Sequence, residues 1–278
     1  MSLEPCFRWV PLLLMAACAA TPGGVRVNTS GGDSSPPQIL DVFFGLDDAL
    51  PLNAAFLCPG GEGLDGIPVT FSRRVVETYP SAKSFRITTR SGATYTPRCA
   101  TVRPANGDSE HHTVLLVGQL GSQSDPPVRL DIVGSVRFEN GSDALGQSST
   151  HVTPLTDGPS LLIGLRYAPG GLPGTDCPAP ATKQIVQVTW SGGVTAVGGG
   201  DLGDAQRVRM HVTVSEPNAA PRELVPFALA DLGDNDNYVQ LCLDDPTPAV
   251  SVRVEPDTCV DPRGDPNGET SVSVSPAR

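Results

Sequence analysis

Arg207-Val208-Arg209-Met210-His211-Val212-Thr213-Val214 places Val208, Met210, Val212 and Val214 at every second position, with Arg209, His211 and Thr213 between them. Side chains alternate between the two faces of a strand, so this octet offers one apolar face to a core and one polar face to water. Val250, Val252 and Val254 alternate with Ser251, Arg253 and Glu255 in the same way. Working outward, the same short alternations recur at 39–44, 67–71, 85–89, 113–120, 128–133, 161–167, 185–190, 238–243 and 271–274. Each is bounded by Gly, Pro, Asn, Asp or Ser, the residues that turn a chain. No window carries an i, i+3, i+4, i+7 apolar stripe free of Gly and Pro, so little helix is expected beyond the N-terminal segment.

Composition agrees with the pattern. With 30 Gly and 28 Pro in 278 residues the chain is poor in uninterrupted helix and rich in turns. The reading is an all-β protein of one or two β-sandwich domains. A Gly/Pro/Ser/Thr-rich stretch between Gly141 and Pro180 suggests a boundary near Thr156, giving β domains over 38–155 and 156–278, with one large sandwich as the alternative.

The first seventeen residues read as an export signal, with Arg8 ahead of a short apolar run too brief to span a bilayer. Met15-Ala16-Ala17-Cys18 follows and resembles a bacterial lipobox, which implies lipidation of Cys18. The competing reading is cleavage at the A-x-A site Ala17-Cys18-Ala19, which releases a soluble secreted protein. Residues 18–37 are then lipid anchor and tether, since Thr, Gly, Ser and Pro there supply almost nothing for a core. Export permits disulfides. Of the cysteines beyond Cys18, Cys58 is expected to pair with Cys99 and Cys177 with Cys242, leaving Cys259, although Cys177, Cys242 and Cys259 allow three pairings.

Within the first half, Gly66-Ile67-Pro68-Val69-Thr70-Phe71-Ser72, Ser84-Phe85-Arg86-Ile87-Thr88, the turn Ser91-Gly92-Ala93 and Thr113-Val114-Leu115-Leu116 resemble the bacterial Ig-like domains of S-layer and other surface proteins. The match covers about sixty residues. Arg73-Arg74-Val75-Val76 departs from it, standing where those domains carry a short acidic stretch. The resemblance implies a sandwich serving as spacer or adhesion module, and it carries over no catalytic residue.

A formal net charge of −11 argues against nucleic acid and anionic lipid as electrostatic partners, both being polyanions. It suits cations. Asp231-Leu232-Gly233-Asp234-Asn235-Asp236-Asn237 concentrates oxygen ligands in one turn, and calcium takes six to eight oxygens, so Asp231, Asp234, Asp236 and Asn237 are the candidate metal ligands. The same composition also makes a turn whose side chains cap its own backbone. Asp201-Leu202-Gly203-Asp204 repeats the tetrapeptide, and Asp261-Pro262-Arg263-Gly264-Asp265 is a further acidic turn that includes an integrin-type Arg-Gly-Asp. Sandwich hairpins are able to pool such turns at one end.

Other signatures are weak or missing. Gly198, Gly200 and Gly203 spell G-x-G-x-x-G without the amphipathic helix a dinucleotide site needs, so the segment reads as a glycine loop. His111 and His112 enter a strand on opposite faces and read as exposed loop residues rather than co-ligands. No G-x-S-x-G, H-E-x-x-H or C-x-x-C is present. The expected function is an exported cell-envelope binding or structural module, calcium-stabilised, attached to a membrane through its anchor and facing a surface protein or glycan. The other class is a secreted enzyme acting on extracellular polysaccharide, with a site assembled from scattered acids such as Asp47-Asp48 or Asp244-Asp245.

Overall fold

The computed structural model describes residues 36–52, 56–78, 80–234 and 236–277. The signal segment, Cys18 and most of the tether lie outside the described residues. Strand accounts for 38% of the structure and helix for 5%, so the protein is all-β.

The first half contains β1 (Ile39–Val42), β2 (Asp65–Phe71), β3 (Phe85–Thr89), β4 (Thr94–Tyr95), β5 (Cys99–Thr101), β6 (Thr113–Gly118), β7 (Pro127–Ile132) and β8 (Ser148–Ser149). They form two four-stranded sheets, β1-β2-β6-β5 and β4-β3-β7-β8. Ile67, Val69 and Phe71 of β2 and Val114 and Leu116 of β6 meet Phe85 and Ile87 of β3 and Leu130 and Ile132 of β7 in one core. That is a sandwich, built from the inward positions of period-two strands. Phe71 and Phe138 meet edge-on inside it, ring centroids 5.3 Å apart.

The second half contains β9 (Leu161–Tyr167), β10 (Gln184–Trp190), β11 (Met210–Val214), β12 (Arg222–Leu224), β13 (Ala228–Ala230), β14 (Tyr238–Leu243), β15 (Ala249–Val254) and β16 (Thr270–Pro276). All join one sheet, ordered β12-β11-β15-β16-β9-β10-β14-β13. Met210, Val212 and Val214 from one wing share a core with Val186, Val188, Val239 and Leu241 from the other, so the sheet folds over onto itself. The hinge of that fold is the parallel pair β16–β9.

β10 and β14 are buried along their whole length on both faces. Their inner positions enter the core, and their outer positions pair in register as Ile185 with Cys242, Gln187 with Gln240 and Thr189 with Tyr238. The loop carrying Cys177 and part of the first half cover that outer face. Both expected disulfides form, Cys58–Cys99 and Cys177–Cys242, with Cα atoms 6.1 and 5.6 Å apart. Cys259 is a buried free thiol.

All eleven alternating segments contain strand, but two residues in them point the other way from expectation. Val208 is half exposed, because one helical turn, α1 (Asp204–Arg207), carries the chain through it in helical conformation. Arg207 pins that turn by donating to Asp204 and to the carbonyl of Pro226, so alternation begins at Met210. Val250 is 40% exposed because the β11–β15 register shifts between Thr213 and Val214, putting Ala249 rather than Val250 opposite Val214.

His111 and His112 are also corrected. Both are buried, at 7% and 6% exposure. The second half packs over them: the His112 amide donates to the Tyr238 hydroxyl at 2.8 Å, and its Nδ1 lies 3.1 Å from the carbonyl of Phe71. Burial holds the His112 imidazole neutral by pushing its pKa down to about 4.

A candidate cation site at the seam between the halves

The hairpin from β13 to β14 carries the acidic loop. Its turn requires left-handed backbone at Asp231 (φ 64°) and at Gly233 (φ 90°), which Asp tolerates and glycine favours. Part of the loop does cap itself: Asp236 Oδ1 accepts the Tyr238 amide at 2.7 Å, and Asp234 Oδ1 accepts the Asp236 amide at 3.4 Å. This leaves the second oxygens. Asp231 Oδ2 and Asp236 Oδ2 are both buried without a hydrogen-bond partner, and the Asp236 side chain belongs to a residue only 6% exposed.

Asp231, Asp234 and Asp236 line one cavity of about 20 Å³, together with Asp201, Thr195 and Tyr238. The two Asp-Leu-Gly-Asp turns therefore do meet, through Asp201 of the first and Asp231 and Asp234 of the second. Asp204 lies outside the cavity lining and pairs with Arg207. A volume of this order holds one water-sized body or one bare cation, and no sugar ring.

A further acid, outside the cavity lining, approaches Asp231 and Asp234 from the other half of the molecule. Glu110 ends the 3-10 turn Asp108–Glu110 and is 3% exposed. Its Oε2 accepts the Gly107 amide at 2.6 Å and its Oε1 accepts Gln187 Nε2 at 3.3 Å. The Glu110 carboxylate packs directly over Gly107, where a Cβ would lie 2.6 Å from Oε2 and would push the carboxylate aside. Carboxylate oxygens of Glu110, Asp231 and Asp234 all lie within 4.8 Å of one another. Oxygens on one calcium ion, each at about 2.4 Å, are at most about 5 Å apart, so these three are spaced to share an ion.

Electrostatics point the same way. Among the described residues none of Glu110, Asp231, Asp234 and Asp236 forms an ion pair with Lys or Arg. Burial, then the charges of Glu110 and Asp234, push Asp231 up to about 7. Burial, then the charge of Asp234, push Asp236 up to about 9. Burial raises Glu110 as well. Like charges gathered out of water favour whatever neutralises them, a proton or a cation.

Asn237 is not brought into this group. Its Nδ2 donates to Thr113 Oγ1 at 2.9 Å and to the Trp190 carbonyl at 2.6 Å, so the amide faces the seam. Glu110 escapes sequence reading because it stands far from the loop in the chain and in a segment without a motif; only the fold brings it there.

The remaining acidic turns are engaged internally. Asp47, Asp48 and Asp65 also cluster. Asp65, however, accepts the amides of Asp48, Leu120 and Gly121, Asp48 accepts Gln119 Nε2, and Asp47 accepts the Gln123 amide. Asp245 pairs with Arg222 at 2.6 Å and caps Thr247. In the Arg-Gly-Asp turn, Arg263 and Asp265 bind each other at 3.2 Å. Gly198, Gly199 and Gly200 all have positive φ and form a turn, followed only by the single helical turn α1. No protein-family model matches the chain, and a search of curated proteins finds no match either.

Proposed function

We propose that this protein is an exported cell-envelope binding or structural module whose fold is completed by a divalent cation, calcium in the first instance, held at Asp231, Asp234 and Asp236 with Glu110. The observation that carries the reading is the buried, unpartnered Asp236 Oδ2 in a cavity with three further carboxylates, Asp201, Asp231 and Asp234, and room for one ion. Ligands that are all carboxylate oxygens suit a hard cation such as calcium better than softer metals. The two disulfides support an oxidising destination. The lipobox at Cys18 supports attachment to a membrane, with a surface protein or glycan as the partner beyond it.

Binding to the folded state alone stabilises it by RT ln(1 + [Ca²⁺]/Kd), about 2.7 kcal/mol at a hundredfold excess, or roughly 5–10 °C in Tm for a chain of this size. Melting in 5–10 mM calcium against chelator is the test, since extracellular calcium modules bind at about 10⁻⁴–10⁻³ M. Asp236→Asn keeps the oxygen that caps Tyr238 and removes the buried charge. It is expected to melt above the wild type in chelator and to gain nothing from calcium. Equal calcium shifts in both proteins would mean diffuse screening of an acidic surface and would defeat the reading.

A further inference from the structure

The four carboxylates do not come from one part of the chain. Glu110 belongs to the first half, whose sheets end at Ser149, and the three aspartates belong to the hairpin of the second. Each of the four apolar clusters draws its residues from one side of this seam. Across it the contacts are largely polar. The His112 amide donates to Tyr238 Oη, Asn237 Nδ2 to Thr113 Oγ1, Gln187 Nε2 to Ser109 Oγ and Glu110, and Asn106 Nδ2 to Asp234 Oδ2. Phe43 adds an apolar contact, its ring lying so close to Gly192 that a Cβ there would be 2.7 Å away.

We infer that the cation is a tie across the seam: Glu110 from one half and Asp231 and Asp234 from the other take the same ion, beside the cavity that the buried Asp236 lines, and its binding fastens the two halves together. This rests on the cation reading above. Without the ion, acids from both halves face one another where the contacts are polar, so closure at this point rests on the hydrogen bonds of the seam. With it, the like charges that oppose closure become its ligands. The ion then sets how stiffly the halves are joined, which is a property calcium concentration outside the cell controls.

Hydrogen exchange of the full chain, in 5 mM calcium and in chelator, reads both sides of the seam at once. Calcium is expected to slow exchange at least fivefold in residues 107–113 and in residues 231–240 together. Glu110→Gln is expected to weaken calcium binding at least tenfold by calorimetric titration, and to leave residues 107–113 exchanging at the same rate with and without the ion. If calcium binds but slows only residues 231–240, or if Glu110→Gln binds it as tightly as the wild type, the site belongs to the hairpin alone. That overturns the tie and leaves the cation reading standing. Absence of calcium binding by the wild type up to 10 mM overturns both. Should Glu110→Gln fail to fold, the wild-type exchange pattern decides by itself, one-sided protection being the overturning result.

Discussion

Asp261 shows how much one residue's surroundings decide. It is 1% exposed, its Oδ1 accepts the amides of Arg263 and Asp265, and its Oδ2 is buried without a partner. Burial raises its pKa despite those two bonds, so the folded state holds the proton more tightly than the unfolded chain does. For a raised group the stabilising contribution is complete below the ordinary carboxylate value of about 3.8 and is lost as pH rises through the folded pKa. Asp261→Asn lacks that loss. The Tm of the variant minus that of the wild type is therefore expected to grow as pH rises from about 3.5 to 7, and a difference that stays flat would show that the fold does not raise the carboxyl. Cys259 lies close by in the chain and is the opposite case chemically: burial pushes its thiol up to about 12, which makes it an inert core residue.

Among the elements, β14 joins most of what matters. Its inner face supplies Val239, Leu241 and Leu243 to the core, and its outer face carries Cys242, Gln240 and Tyr238. Cys242 anchors the loop before β10 through the disulfide to Cys177. That loop covers the outer face through a small cluster of Tyr167, Leu172, Ile185 and Ala230, while Thr175 Oγ1 donates to Gln240 Oε1. A crosslink spanning 65 residues lowers the entropy of the unfolded chain by about 4 kcal/mol equivalent at room temperature. The double variant Cys177→Ala, Cys242→Ala is expected to lose about that much in denaturant unfolding, roughly 10 °C in Tm. A loss below about 1 kcal/mol would mean the loop is held by its packing instead. The other wing of the same sheet shows the limit of pattern reading at this scale: one register shift in β11–β15 was enough to turn Val250 outward.

For the molecule as a whole, the separation of the cores has a calorimetric consequence. Because no apolar cluster among the described residues bridges the halves, cooperativity between them depends on the contacts of the seam and on the cation proposed there. Scanning calorimetry is expected to show two transitions in chelator that merge into one in millimolar calcium. A single transition in chelator, with calorimetric and van 't Hoff enthalpies equal, would mean the polar contacts of the seam suffice.

The sequence by itself determined the class of the fold, because period-two alternation leaves an apolar face that only a sheet against another layer can bury. It located the longer strands to within a few residues, since Gly, Pro and Asp close each one, but not the short strands β4, β5, β8, β12 and β13, and it favoured the Cys58–Cys99 pair while leaving the pairing among Cys177, Cys242 and Cys259 for the fold to decide. It also placed Asp231, Asp234 and Asp236 in one turn. Tertiary structure alone decided the rest. Whether a carboxylate oxygen is left over after capping depends on the turn's geometry, as Asp236 shows, and the Asn237 amide is turned to partners on two other strands, Thr113 and Trp190. His111 and His112 look like loop residues until a second sheet covers them. Glu110 completes the acidic cluster because two halves meet there, and contacts between residues so distant in the chain are set by packing and leave no mark in the local pattern.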